Sequence, residues 1–166
     1  EQLSRHLDFP VQHRKIHLPE IQSLSLEEIV AYKAHEAYKL TNAPVLIEDT
    51  SLIFTALGKL PGPLIKWFLE ELGPAGLCKV LTNYKDRSAA AQVLFGLYDG
   101  KKLKVFGGSM KGSIAPAPRG AKGFGWDPIF IPKGHTKTWG EMDREEQKET
   151  SMRRIALKKL ESYLKE

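Results

Sequence analysis

The sequence predicts an α/β protein, and three patterns in the chain of 166 residues support this prediction. A helical repeat of apolar residues ends at a Thr-Asn-Ala-Pro break, and an apolar strand follows at once. Two further apolar runs flank an Asp-Gly turn, which is typical of a β-hairpin. The last part of the chain shows the helical period again. Helices and strands that alternate in this way are expected to pack together on a shared sheet.

The first predicted helix begins with the capping-box pattern Ser25-Leu26-Glu27-Glu28 and continues to Leu40. The break at residues 41–44 leads into the apolar strand Val45-Leu46-Ile47. We expect this strand to end where Glu48 and Asp49 begin, because the apolar run ends there.

The later elements are predicted from breaks and turns in the pattern. Two helices are expected at residues 63–72 and 75–81, separated by Gly73-Pro74. Two strands at residues 90–98 and 102–106 should form a hairpin around Asp99-Gly100. The remaining predictions are an irregular stretch at 112–118, a short strand at 129–131, a capping pattern at 143–146, an apolar helix stripe from 155 to 164, and the tail of a helix at 1–7.

Composition indicates one domain that spans residues 1–166. A hydrophobic content of 42% supports a core, and the length is small for two domains. Cys78 is the only cysteine, so no disulfide within the chain and no cysteine-based zinc cluster is expected. We find no apolar run that would span a membrane and no secretory pattern in the first residues, and we therefore expect a cytoplasmic protein.

The net charge of +5 favours polyanionic partners. A nucleoside triphosphate and a nucleic acid would both be attracted, so charge alone does not separate them. Nucleic acid is the less favoured partner, because no aromatic and basic recognition motif accompanies the charge.

The segment Phe124-Gly125-Trp126-Asp127-Pro128, which we call the aromatic loop, joins aromatic rings, a glycine and a carboxylate. A purine ring would stack on Trp126 or Phe124, while Asp127 and backbone amides would read its edge. Taken alone, such a segment is more often ordinary loop packing.

Acidic residues follow two extended stretches. Glu48, Asp49 and Thr50 come after the first strand, and Glu20 follows Leu18-Pro19. In open α/β sheets a ligand binds beyond the carboxyl ends of strands, which makes these acids site candidates. A solvated strand end is the alternative interpretation of the tripeptide.

Together with residues 57–68 and 118–130, these segments closely resemble the inosine triphosphate pyrophosphatase family. The resemblance implies an elongated α/β domain with a mixed sheet flanked by helices, whose two lobes enclose a nucleotide cleft, and a homodimer. It also implies hydrolysis of ITP, dITP or XTP to the monophosphate and pyrophosphate. Mg²⁺, or Mn²⁺, is the implied cofactor, and purine nucleoside triphosphate is the implied substrate.

The resemblance assigns roles to individual residues. Glu20 and Asp49 would bind the metal, with Asp49 also the general base, and we expect this metal to face the stacking pocket of Trp126. The implied substrate-binding residues are Lys33, Glu48, Thr50, Lys66, Phe124, Gly125, Trp126, Asp127, Gln147, Met152 and Arg153. For Lys33 and Lys66 the alternative is the wet face of a helix, and this alternative is as strong as the functional one for Lys33.

Three departures from the family pattern affect substrate-holding elements. This chain has Ser151-Met152-Arg153 where the family has Ser-His-Arg, and Gln147 where the family usually has lysine. The family's strand and Thr-Gly-Asn loop before the first helix are not found in this sequence. Methionine donates no hydrogen bond, so base specificity is expected to be relaxed. The second hypothesis is a catalytically weakened homologue that binds nucleotide or pairs with a complete subunit.

Overall fold

The computed structural model describes residues 10–165. In chain order its helices and strands are α1 (Leu26–Thr41), β1 (Val45–Phe54), β2 (Pro61–Gly62), α2 (Ile65–Val80), β3 (Ser88–Tyr98), β4 (Leu103–Ile114), β5 (Phe130–Pro132), α3 (Arg144–Thr150) and α4 (Met152–Leu164), with short 3-10 turns at Thr55–Leu57 and Asp127–Ile129. The predicted α/β class is confirmed. The helix tail expected at residues 1–7 lies outside the described residues.

Helix α1 begins and ends as its sequence indicates. The Ser25 hydroxyl accepts a hydrogen bond from the Glu28 backbone N–H at 3.3 Å, and Asn42 closes the helix in the left-handed conformation. The Glu28 carboxylate accepts from the Ser23 hydroxyl at 2.6 Å. The predicted Ser25 cap is therefore present, but the capping box is not closed, because the Ser25 N–H donates to the Ser23 hydroxyl and the Glu28 carboxylate also bonds Ser23.

The strands form one sheet in the order β2-β1-β3-β4-β5, and every strand pair within residues 10–165 is antiparallel. The sequence led us to expect a mixed sheet. The chain leaves β1 and returns through β2 and α2 at the same end, so β3 starts opposite Phe54 and runs back along β1. The hairpin at Asp99-Gly100 then reverses the chain into β4, which makes this pairing antiparallel as well.

Strand β1 is longer than predicted, and this changes the position of the acids. It does not end at Ile47 but continues through Glu48 and Asp49 to Phe54. Leu52 and Phe54 are fully buried in the core and hold the second half of the strand in place. The acids therefore lie in the middle of a strand. Because successive side chains alternate, Glu48 and Asp49 point to opposite faces of the sheet.

Two glycines show that helices cover both faces. A side chain at Gly96 of β3 would collide with Val30 of α1, whereas one at Gly108 of β4 would collide with the Met152 carbonyl of α4. Gly108 pairs with Val93, which lies on the other face of β3 from Gly96. Helices α1 and α4 thus sandwich the sheet.

Three further boundaries differ from the predicted ones. The two helices predicted at 63–72 and 75–81 form one helix with a kink at Gly73, whose φ of 63° is non-helical. Strand β4 extends to Ile114, through part of the stretch predicted as irregular. The final helical region is divided at Ser151, which caps α4 by accepting from the Arg154 N–H.

The capping pattern at Asp143 is confirmed, with both reciprocal hydrogen bonds present. Across the described part of the chain, no helix has the length and apolar character needed to cross a membrane.

Candidate functional site

An ammonium group joins two of the predicted site acids. Lys33 Nζ on α1 lies 2.6 Å from Asp49 Oδ2 on β1 and 3.2 Å from Glu20 Oε1 in the extended segment before α1. We call Glu20 and Asp49 the acid pair. The other Asp49 oxygen, Oδ1, accepts a hydrogen bond from the Thr50 backbone N–H at 2.9 Å. The structure thus brings together two acids that are far apart in the sequence.

Burial and charge act in opposite directions on Lys33. Its side chain is only 15% exposed, and burial by itself lowers the pKa of an ammonium group. The hydrogen bond and charge of Asp49, followed by those of Glu20, outweigh this effect and leave the pKa of Lys33 raised. Lys33 is therefore held as a cation between two anions, and it does not lie on a wet helix face.

Lys66 and Trp67 form the outer wall beside the acid pair. Lys66 Nζ is 3.9 Å from Glu20 Oε1 and lies over the indole ring of Trp67, 4.8 Å from its centroid. Both side chains are more than half exposed. This part of the site is open to solvent and positively charged.

A large cavity runs past the outer edge of β1, and we call it the edge cavity. Its volume is about 920 Å³. It is lined by Lys33 and Ile47, which belong to the α1 face, and by Leu46, Glu48 and Phe95, which belong to the α4 face. Within the described residues, β2 covers this edge only at Leu52 and Ile53, so the cavity joins the two faces of the sheet.

A second cavity, of about 250 Å³, lies on the α4 face, and we call it the aromatic pocket. Its walls are Thr50, Phe124, Trp126, Asp127, Trp139, Gln147, Ser151, Met152 and Arg153. The Trp126 ring lies 5.7 Å from the Trp139 ring and 6.1 Å from the Phe130 ring, which hold it from behind. Phe124 is 89% exposed at the rim. The pocket presents one fixed and one free aromatic ring.

Hydrogen bonds within the aromatic loop fix its shape. The Phe124 N–H donates to Asp127 Oδ2 at 2.6 Å, and the Asp127 N–H donates to the Phe124 carbonyl at 3.0 Å. Gly125, with φ of 60°, supplies the left-handed turn between them and does not line the pocket. Gly125 therefore shapes the loop, and the neighbouring side chains form the pocket wall.

Asp127 is largely buried, and this burial raises the pKa of its carboxyl group. The Phe124 backbone hydrogen bond and the charge of Arg153 partly oppose this effect. Burying a carboxylate at the wall of a pocket costs free energy unless the carboxylate accepts hydrogen bonds.

Three predicted residues of the last two helices reach the aromatic pocket by different routes. Gln147 donates from Nε2 to the Trp139 carbonyl at 2.8 Å and so supports that ring. Met152 is 8% exposed and backs the pocket with its thioether. Arg153 donates from Nε to Glu48 Oε1 at 2.6 Å and links α4 to β1.

The predicted site residues therefore form two groups. Glu20, Lys33, Asp49 and Lys66 gather on the α1 side, while Glu48, Thr50 and the residues of the aromatic pocket gather on the α4 side. The sequence led us to expect the acid pair to face Trp126 directly. Instead, the two groups lie on opposite faces of β1. Glu48, which lines the edge cavity and pairs with Arg153 of the aromatic pocket, lies between them.

Sequence reasoning missed several lining residues. Trp139 and Ser151 belong to the aromatic pocket, and His13, Arg14 and His17 line the edge cavity. Trp139 gave no motif in the sequence. In the structure its indole N–H donates to the Thr150 hydroxyl, eleven residues away, at 2.8 Å. The basic segment at 13–17 gave no motif.

The acid pair suits a hard divalent cation. In the described residues no three His, Cys, Asp or Glu side chains converge as a metal cluster. Mg²⁺ needs only one or two carboxylates when phosphate and water oxygens complete its shell. Two carboxylates that already share one cationic partner satisfy this requirement.

The fold and the site define an α/β protein with an aromatic pocket on one face of β1 and a carboxylate pair on the other, linked by the Glu48–Arg153 ion pair beside the edge cavity. Comparison with known proteins identifies the family. The chain belongs to the Ham1 family, whose model matches residues 2–163. The family resemblance noted in the sequence is thereby confirmed.

Individual relatives agree with this assignment. The chain is 43% identical over 159 residues to the inosine triphosphate pyrophosphatase of Scheffersomyces stipitis, covering 95% of this chain and 81% of that protein. It is 41% identical over 158 residues to the Candida albicans inosine triphosphate pyrophosphatase, covering 94% and 77%. A solved nucleoside-triphosphatase / dITP/XTP pyrophosphatase from Mycobacterium abscessus matches with a TM-score of 0.79 and 32% identity, covering 96% of this chain and 91% of that one.

Proposed function

We propose that this protein hydrolyses the non-canonical purine nucleotides ITP, dITP and XTP to the monophosphate and pyrophosphate. One observation carries the proposal: the aromatic pocket, with its largely buried carboxylate, and the edge cavity, with its acids and ammonium groups, lie on either side of the Glu48–Arg153 ion pair. A purine nucleoside triphosphate has an aromatic base at one end, which would fit the aromatic pocket, and a triphosphate at the other, which would fit the charged groups. The names of the relatives at 41% and 43% identity support the same reaction.

The aromatic pocket would hold the base. Trp126 offers a braced face for stacking, and the exposed Phe124 ring can close over the other side. Asp127 is an acceptor, and hypoxanthine and xanthine carry a hydrogen on ring nitrogen N1, whereas adenine carries a bare lone pair. Asp127 would keep the hydrogen bond from the Phe124 N–H, but bound adenine would turn a lone pair toward the carboxylate where hypoxanthine offers a donor, and such mismatches discriminate strongly.

The α1 side would hold the triphosphate and perform the hydrolysis. Lys33 and Lys66 provide positive charge for the phosphate oxygens. Asp49 would accept a proton from the attacking water, a role that requires hydrogen-bond reach to that water. Glu48 and Arg153 would support the passage between the two sides, because their ion pair lies beside both cavities.

We further propose that Glu20 and Asp49 hold Mg²⁺, with Mn²⁺ as a substitute. When bound, the metal neutralises negative charge on the phosphate oxygens. The homodimer and the cytoplasmic location expected from the sequence remain predictions. Size-exclusion chromatography with light scattering would test the dimer.

A pyrophosphate-release assay with Mg²⁺ and ITP, dITP, XTP, GTP and ATP tests the function. We expect turnover of the first three and much slower turnover of ATP. A flat trace with every nucleotide would reject the enzymatic function. Binding of ITP without turnover would instead favour the weakened homologue.

Replacing Met152 with histidine tests base selection more closely. A histidine at this wall of the aromatic pocket adds a hydrogen-bonding group where the thioether donates nothing. We expect the M152H variant to prefer ITP over GTP more strongly than the wild type does, measured as the ratio of kcat/KM. An unchanged ratio would contradict the relaxed specificity expected from this position.

A further inference from the structure

The ammonium group of Lys33 occupies the position between the two carboxylates of the acid pair. It lies within hydrogen-bond distance of both, at 2.6 Å from Asp49 and 3.2 Å from Glu20. Its side chain is only 15% exposed, so this is a held arrangement and not a chance surface contact. The two negative charges of the acid pair are therefore already balanced in part when no metal is bound.

The ammonium and a shared divalent cation exclude each other. A Mg²⁺ ion lies about 2.1 Å from each ligand oxygen, so a cation that joins Glu20 to Asp49 would take the space of the Lys33 Nζ. Two positive charges a few ångströms apart also repel each other strongly in a partly buried site. Lys33 must move away before the acid pair can share a metal.

We propose that Lys33 is a placeholder for the metal: its ammonium holds Glu20 and Asp49 together in the metal-free protein, and it gives up this position when a polyphosphate offers it another anion. This inference rests on the proposed function, since it takes the acid pair as the metal ligands. It adds a coupling between metal and polyphosphate that reduces metal binding in the absence of nucleotide.

The cavities around Lys33 give the ammonium a place to go. Lys33 lines the edge cavity and also a smaller cavity of about 270 Å³ formed with the acid pair, Pro63 and Trp67. The edge cavity carries further cations in Arg14 and Lys66. A polyphosphate attracted there would compete for the ammonium, and the flexible four-carbon stem of lysine allows the movement. Metal binding would then follow nucleotide binding.

Mn²⁺ binding without nucleotide tests the placeholder. Lys33→Met keeps the length of the side chain but removes its charge. We expect K33M to bind Mn²⁺ alone at least about tenfold more tightly than the wild type, as for a typical coupling between sites. Electron paramagnetic resonance of free Mn²⁺ measures this directly. Mn²⁺ should also raise the Tm of K33M and leave that of the wild type nearly unchanged.

Three control variants separate this effect from general changes in charge or folding. Lys39→Met removes a lysine from the exposed face of the same helix, where it pairs with Glu36, and should leave Mn²⁺ affinity unchanged. Lys33→Gln retains a hydrogen-bond donor and replaces K33M in the test if K33M does not fold. The double variant K33M/D49N should lose the gain in affinity, because one of the two metal ligands is gone.

Equal Mn²⁺ affinity in K33M and the wild type would overturn the proposal, and so would an equal gain in K39M. The proposed function and the placeholder can fail independently of each other. If the wild type hydrolyses no nucleotide but K33M gains an Mn²⁺ affinity that K33M/D49N lacks, the placeholder stands and the enzymatic function falls.

Discussion

Glu48 and Asp49 are adjacent acids in one strand, yet they belong to different halves of the site. Asp49 points toward α1 and pairs with the half-buried ammonium of Lys33, whereas Glu48 points toward α4 and pairs with the more exposed Arg153. The α1 face collects charges, and the α4 face collects aromatic rings. The comparison shows that the alternation of side chains along a strand places two neighbouring acids in different environments. One environment is rich in charged groups, and the other is rich in aromatic rings.

The largest effect is expected on the α1 face. Asp49→Asn keeps the shape of the side chain but removes its charge and its ability to accept a proton. We expect kcat to fall by about a hundredfold to ten-thousandfold, the range typical of a lost acid-base group. Steady-state pyrophosphate release with ITP measures the loss. The matched control is Glu48→Gln, which makes the same change one residue away and should lower kcat far less. Equal losses in the two variants would remove the distinction between the faces.

The next effect is expected in the aromatic pocket. Trp126→Ala removes the braced stacking face, and stacking of a base on an aromatic ring contributes about 1–3 kcal/mol. We expect KM for ITP to rise by about fivefold to 150-fold, with a smaller change in kcat. Trp67→Ala is the control, because its indole is exposed beside the acid pair on the other face. A larger KM change in W67A than in W126A would indicate that the base binds on the α1 face, and it would contradict our proposal that the base binds in the aromatic pocket.

A change of specificity is expected at Asp127. In Asp127→Asn the side-chain amide can donate a hydrogen bond to adenine N1, so the preference for ITP over ATP should narrow by about tenfold, or 1.4 kcal/mol. The kcat/KM ratio for the two nucleotides measures this. An unchanged ratio would show that Asp127 only shapes the loop.

The raised pKa of Asp127 predicts that the difference in stability between the wild type and D127N depends on pH. The folded state favours the protonated Asp127 carboxyl, and this preference adds to the free energy of unfolding. The added stability is fully present below the pKa that Asp127 has in the unfolded chain, and it is lost as pH rises through the pKa of the folded state. The wild type should therefore gain stability relative to D127N as pH falls toward the acid range. Urea unfolding at several pH values checks the sign, and a relative loss at acid pH would contradict the burial of this group.

The smallest effect is expected for the ion pair that links the faces. The Arg153 and Glu48 side chains are 55% and 32% exposed, and pairs in solvent contribute at most about 1 kcal/mol to folding. The E48Q variant should lose no more than this in urea unfolding, and the loss should shrink in high salt. A larger, salt-independent loss would mean that the pair is part of the core.

Much of the fold follows from local signals in the sequence. Ser25 and Asp143 mark helix starts, and Asp99-Gly100 marks the hairpin, because each signal acts through neighbouring backbone groups. The end of β1 could not be predicted in this way. The run from Glu48 to Ser51 is polar, but Leu52 and Phe54 are buried by distant partners that keep the strand extended.

The site was predictable in its members but not in its arrangement. The aromatic loop and the acids carry recognisable sequence blocks, whereas Trp139 and Arg14 reach the cavities only through tertiary packing. The position of the acid pair opposite the aromatic pocket depends on β1 passing through the acids. Our prediction ended the strand at Ile47, and it therefore placed the acid pair and the aromatic pocket in the same cleft.

Gly108 has a consequence for the proposed base recognition, although it lines neither the edge cavity nor the aromatic pocket. The backbone of α4 rests directly on this glycine at Met152, so any side chain at position 108 would lift the start of the helix away from the sheet. Met152 and Arg153 would move with it. The depth of the aromatic pocket thus depends on the absence of a side chain at position 108. A single methyl group on β4 would change the shape of this pocket without replacing any of its lining residues.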